Sequence, residues 1–309
     1  MSFDDNRTDG PRLLVEDRGE LLPEAEKVER NDPVLRQVIK LCEEELGAEE
    51  LRIPRPTAVV DRVLGTLRNS DVSTREVIRH IRLDPVLSGR LVELANSAAY
   101  AGSHPTFSLE MAVVRLGLNR ICEAADALAD QGPEDAENGR STIFSCQWMS
   151  AVATALACEA LAKSVPSIEE GAGYLTGLFH EAGDPLVVRC IGRLERSDAL
   201  EPQSAGRVLG IVEKLSQRIT GRVVRRWSTA RLAQDAIRLR THKLRDRRGR
   251  PLAHLLACGR ALVDELGVGR EPTPIDLTEC RDFKFLQLDD ERKLDTVRQE
   301  LRTAMKDAS

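Results

Sequence analysis

The chemically densest run of the chain is Arg240, Lys243, Arg245, Arg247, Arg248 and Arg250. Cations at that density could hold an anion, whether a nucleotide, a phosphorylated partner or nucleic acid. They could equally form a solvated loop, offset by an acidic segment elsewhere. No aromatic residue for base stacking stands nearby, which counts against single-strand binding. Asn96-Ser97 could bind a ligand, but both residue types also satisfy the exposed backbone groups of a helix end, and we take that reading. The seven cysteines are scattered and odd in number, with no CxxC pair. They read as reduced thiols rather than a disulfide framework or a zinc site. There is no Walker-type glycine-rich loop, and no serine–histidine–acid triad can be argued from spacing alone.

The elements that carry these residues read as helices. Apolar residues make up 41% of the 309, but aromatics only 3%, which favours packed helices over a sheet. Asp32-Pro33 and Asp84-Pro85 pair a capping aspartate with a proline suited to the first helical position. After the first, Val34, Val38 and Leu41 share a face, with Ile39 and Cys42 beside them; after the second, Leu87, Leu91 and Leu94 form the stripe. Ser73 and Ser108 are further cap candidates, and Gly117 should divide two helices. Ile53-Pro54-Arg55-Pro56 is stiff and extended, because each proline restrains itself and its predecessor. Residues 131–140 read as a linker and 240–251 as a basic connector. Helices are expected over 142–163, 204–227, 230–242, 251–267 and 289–306, with 270–288 irregular. Charge is uneven: residues 1–50 hold 15 acidic and 7 basic side chains, residues 222–260 hold 2 and 12. That predicts an acidic lead-in and one basic helical face.

Three stretches together resemble the HDOD family, the HD-related output domains of bacterial signalling. They are Ile53-Pro54-Arg55-Pro56 with Asp84-Pro85-Val86-Leu87 and Leu94-Ala95-Asn96-Ser97-Ala98-Ala99-Tyr100; Ser108 to Val113 running into Leu116-Gly117-Leu118; and Gly177-Leu178-Phe179-His180-Glu181-Ala182-Gly183. The resemblance implies an all-α, two-lobed fold, with a second lobe like the HD bundle of cyclic-di-GMP phosphodiesterases. Tyr100 is read as packing its ring between the lobes rather than binding a base. The corresponding division is an acidic, flexible lead at 1–31, an N-terminal helix at 32–52, an HDOD domain at 53–255 and a C-terminal helical extension at 256–309. Within the domain, 53–130 would be the first lobe and 141–255 the HD-like lobe.

An HD hydrolase gathers His and Asp side chains around metal ions that activate water and clamp phosphate. The resemblance places the first His of that pattern at or near Ser150 and the His-Asp pair at His180-Glu181. The phosphate-facing lysine falls at Asp184, a later His near Gln217, and a His-His pair near Arg240-Thr241, with His242 just beyond. His180 and Glu181 are thus expected to be vestigial, His180 a buried hydrogen-bonded histidine, and Asp184 a helix cap before Pro185. No metal or cofactor is expected. The implied function is a non-catalytic signalling module acting on kinases, response regulators or cyclic-di-GMP enzymes, through the groove between lobes or the basic face near Arg222–Arg250. The alternative is a residual metal-dependent phosphohydrolase acting on a nucleotide or cyclic dinucleotide. With no apolar run of about 20 residues and no signal-peptide core, the cytoplasm is the expected location.

Overall fold

The computed structural model describes residues 32–49, 51–55, 57–68, 73–100, 102, 105–129, 140–227, 231–239 and 250–308. The expected lead at 1–31, the linker at 131–139 and Arg240, Thr241, His242, Lys243, Arg245, Arg247 and Arg248 lie outside the described residues. Among those described, every regular element is a helix. Helix α1 covers Pro33–Gly47. A first lobe follows, of α2 (Thr57–Leu67), α3 (Thr74–Ile81), α4 (Pro85–Ala95) and α5 (Leu109–Ala129). The second lobe comprises α6 (Ser141–Ala162), α7 (Glu170–Phe179), α8 (Asp184–Arg196), α9 (Ala205–Arg226), α10 (Arg231–Arg238) and α11 (Pro251–Leu266). A 3₁₀ turn at Leu277–Glu279, α12 (Arg281–Leu286) and α13 (Glu291–Ala308) complete the chain.

The helix starts follow the local chemistry. Asp32, Ser73, Asp84 and Ser108 each accept hydrogen bonds from backbone N–H groups of the turn they open. Gly117, at φ 72° and ψ 162°, breaks α5 where the sequence places a boundary. Asp84 does more than cap. Its Oδ1 accepts from Val86 N (3.1 Å) and Leu87 N (3.0 Å), while its Oδ2 accepts from Arg55 Nε at 2.9 Å and from Arg55 Nη2. Both side chains are buried, at 5% and 0% exposure. The two stretches on either side of α2 and α3 are therefore one unit in space.

The lobes meet directly beside this pair. Trp148 Nε1 on α6 donates to the Leu83 carbonyl at 2.8 Å, and Tyr174 Oη on α7 donates to the Arg82 carbonyl. The Arg82 guanidinium lies 4.1 Å from the Tyr174 ring centroid and pairs with Glu159 on α6. Burial pushes the Tyr174 phenol above its usual range, with Arg82 pulling the other way. Burial also opposes the Arg82 charge, but Tyr174 and Glu159 outweigh it and hold that guanidinium charged. Trp227, at the end of α9, lies against Phe179 (centroids 5.1 Å apart) and over Gly89 of α4, where any Cβ would collide with the indole. Where these side chains meet, the seam between lobes is filled rather than an open groove.

Three expectations need correction. The buried stripe of α1 is Leu35, Val38, Ile39, Cys42 and Leu46, with Val34 and Leu41 at its margin, because the helix lies between α8 and α9. Residues 270–288 are not wholly irregular: α12 forms, with Phe283 buried and Gln287 closing it at φ 58°. Arg140 is no linker residue, being 8% exposed and paired with Glu195 at the end of α8. Tyr100 is partly buried against the core, with the Arg120 guanidinium of the first lobe 5.9 Å from its ring centroid. The described cysteines are all free, and burial pushes the Cys158 thiol up to about 12. No helix among the described residues is long and apolar enough to cross a membrane.

Removing one partner from a buried ion pair strands the other. We therefore expect Arg55→Ala to cost roughly 3–5 kcal/mol in urea unfolding. Arg90→Ala, whose partner Glu93 lies on the same exposed helix face, should cost less than about 1 kcal/mol. Equal, small losses for both would show that the Arg55–Asp84 pair does not hold the first lobe.

Candidate functional site

The motif from Gly177 to Gly183 is built by close helix approach. A Cβ at Gly177 would stand 2.6 Å from the Thr154 carbonyl oxygen, so α6 and α7 cross backbone to backbone. A Cβ at Gly183 would stand 2.4 Å from Thr220 N, so α9 presses on the turn. Gly183 N donates to Thr220 Oγ1 at 3.1 Å. His180 and Glu181 are held between these contacts.

His180 has no solvent exposure. Its Nδ1 lies 2.7 Å from the Gly177 carbonyl oxygen and must be the donor, since a carbonyl only accepts. Its Nε2 faces Glu181 Oε1 at 3.4 Å. The Glu181 carboxylate is also approached by Arg260 Nη2 at 3.8 Å and Arg270 Nη2 at 4.0 Å. Arg270 donates to Ser150 Oγ at 3.2 Å and pairs through Nη1 with Asp264, also at 3.2 Å. Ser150, His180 and Glu181, which the resemblance assigns to neighbouring metal positions, are thus brought together around a guanidinium.

Arg270 arrives on a specific turn. Gly267 closes α11 in the left-handed region at φ 70°, and Thr273 N donates to the Asp264 carbonyl at 2.8 Å. Gly269, at φ 75°, lies so close to α6 that a Cβ would stand 2.3 Å from the Cys146 carbonyl oxygen and 3.3 Å from Ser150 Cβ. The segment after α11 therefore lies over the Ser150 position. Sequence reasoning missed Arg260, Asp264 and Arg270, because they follow the stretches that carry the resemblance. The signal available was Gly267-Val268-Gly269-Arg270, a glycine-rich helix exit delivering a cation.

The other positions lead elsewhere. Asp184 is the first residue of α8 rather than its cap, which is Gly183, and it accepts a hydrogen bond from the Ser216 hydroxyl of α9. Gln217 donates to the Arg238 carbonyl at 2.7 Å, tying α9 to α10. Asn96 exchanges hydrogen bonds with the Thr106 backbone: Thr106 N donates to Oδ1 at 2.8 Å, and Nδ2 donates back at 3.4 Å. Ser97 Oγ donates to the Leu94 carbonyl at 2.7 Å. Ser97 thus serves the helix end, while Asn96 ties that end to the stretch before α5. Of the basic block only Arg250 is described, exposed just before α11.

Gly269→Ala must strain its backbone or push the turn off α6, so we expect a loss of roughly 1–3 kcal/mol. Gly206→Ala, with open space around its Cβ position in the first turn of α9, should be neutral or slightly stabilising. Denaturant unfolding of the two variants checks this. A harmless Gly269→Ala would mean that the turn does not seat on Ser150.

The HDOD domain model matches residues 53–242. Two structures of the MmoQ response regulator from Methylococcus capsulatus str. Bath share the fold at 20% identity. One has TM-score 0.60, covering 80% of this chain and 98% of that one; the other, fragment 20–298, has TM-score 0.56, covering 78% and 90%. An HDOD domain protein with unknown function from Geobacter sulfurreducens aligns at TM-score 0.45 and 21% identity, covering 89% and 99%. No curated protein matches the chain in sequence. The family match spans well over half of the chain and contains the Arg55–Asp84 pair, the Asn96 helix end and the His180 turn, and the chain belongs to the HDOD family.

Proposed function

We propose that the chain is a non-catalytic bacterial signalling module that works through protein–protein contacts on an HD-type scaffold. The observation that carries this reading is the surroundings of Glu181. Its carboxylate faces Arg260 and Arg270, and Arg270 also binds Ser150. A guanidinium supplies positive charge in a fixed fork of donors. It cannot lower the pKa of a bound water or open a coordination position to phosphate, as a metal ion does. On this reading His180 and Glu181 are vestigial, and the protein's own cations balance what a metal once balanced. The natural partners are kinases, response regulators or cyclic-di-GMP enzymes, met in the cytoplasm; the description of MmoQ as a response regulator is in keeping with this. The working division is the HDOD domain at 53–255, with lobes at 53–130 and 141–255, the helix at 32–52 before it and the extension at 256–309 after it.

One observation favours a second reading, a residual metal-dependent phosphohydrolase: His180 and Glu181 do converge, 3.4 Å apart. Elemental analysis separates the two. We expect purified protein to carry no stoichiometric divalent metal and to leave nucleotides and cyclic dinucleotides intact. A stoichiometric metal that disappears in His180→Ala would overturn the non-catalytic reading. For the signalling role, affinity capture from the source cell should recover a signalling protein, and consistent recovery of none would count against it.

A further inference from the structure

Helix α1 precedes the family-matched region, which begins at residue 53. It nevertheless lies in a groove between α8 and α9 of the second lobe. Its apolar residues Leu35, Val38, Ile39, Cys42 and Leu46 follow the i, i+3, i+4, i+7, i+11 spacing of a helix laid in a groove, and all are buried. Its acidic residues meet a rim of arginines. Glu45 pairs with Arg189 at 3.3 Å and with Arg193; Glu43 pairs with Arg218 and, at 3.8 Å, with Arg222; Asp32 pairs with Arg207. Arg226 donates to the Leu46 carbonyl at 3.0 Å and to that of Glu49, gripping the C-terminal end of the helix.

We propose that this face of α8 and α9 is a docking groove for an acidic amphipathic helix of a signalling partner, and that α1 is its resident occupant in cis. The proposal rests on the interaction-module reading above and names the surface that such a module would use. Three features fit the groove to exchange. Three of the five rim pairs are exposed, with Arg193, Arg207 and Arg222 each more than 40% open to solvent, so salt screens these three and each holds weakly, while Arg189–Glu45 lies deeper, at 12% and 14%. Helix α1 runs into an extended stretch pinned at Ile53 and Arg55, so it can leave without disturbing the Arg55–Asp84 pair. An isolated helix of 15 residues is also marginal in water, so α1 owes its order to the groove. A partner helix would need the same apolar spacing and carboxylates placed like Glu43 and Glu45.

The test uses a fluorescent peptide of residues 32–49 added to the full-length protein. In wild type, the tethered α1 competes at high effective concentration. In Val38→Asp/Glu43→Arg/Glu45→Arg, it is weakened. We expect the variant to bind the peptide at least about tenfold more tightly than wild type. That binding should weaken from 50 to 300 mM salt, and should be lost when Arg218→Glu and Arg222→Glu are added. Equal binding by wild type and variant, or binding by neither, would overturn the proposal. If the variant does not fold, hydrogen exchange on wild type decides. Amides of residues 33–47 should exchange together, faster than those of α9, and faster still at high salt; protection equal to that of α9 at both salt levels overturns the groove. A captured partner that excess peptide does not displace would keep the module reading and sink the groove. Peptide binding as expected with no captured partner would do the reverse.

Discussion

A carboxylate with no solvent exposure, Asp84, is the constraint around which the first lobe and its junction with the second are arranged. An uncompensated charge at that depth would cost several kcal/mol, so its two oxygens must both be used. One caps α4 and the other takes the Arg55 guanidinium. This fixes the extended lead against α4 across two intervening helices. It also fixes the backbone just before the cap, where the Arg82 and Leu83 carbonyls face outward and accept hydrogen bonds from Tyr174 and Trp148. The position of the second lobe on the first is thus set within two residues of the buried carboxylate.

How much of this was legible depends on range in the chain. The caps at Asp32, Ser73, Asp84 and Ser108 were readable because the physics is local: a short oxygen side chain and backbone donors two or three residues on. The same holds for the break at Gly117. The arginine partner of Asp84 was visible only as a stiff Pro-Arg-Pro, since nothing local pairs residues 29 apart. Helix α12 escaped notice because six residues are too few to show periodicity. It is held by burial of Phe283 and by Asp282, which accepts a hydrogen bond from His254 Nδ1 at 2.7 Å, both long-range effects. The stripe of α1 was misread by part of a turn, because Val34 and Leu35 are equally apolar and only the groove chooses between them.

In the candidate site, the residue types were legible but their company was not. The sequence identifies the His180 turn and shows that Ser150 and Gln217 are not metal-ligand types where the pattern wants them, and that Asp184 stands where it wants a phosphate-facing lysine. It does not show which charges surround that turn. A largely buried carboxylate beside a histidine needs positive charge nearby, and Arg260 and Arg270 supply it from α11 and the turn after it. Asp264 in turn balances Arg270. The result is a set of alternating charges whose members come from the His180 turn, α11 and the turn after it.

Charge asymmetry along the chain has the same logic at larger scale. A net charge of −5 conceals an acidic beginning and a basic later half. Had the arginines of α8 and α9 faced solvent unopposed, they would form a single-sign field that draws any polyanion. Instead Asp32 meets Arg207, and Glu43 and Glu45 each meet two arginines, while the apolar stripe between provides the burial. The more exposed of these ion pairs contribute little affinity but penalise the wrong partner. A basic helix with the same apolar stripe would be repelled, and an uncharged one would leave the rim hydrated and unmatched. The arrangement selects for acidic helices, and the chain carries one just ahead of the family-matched region.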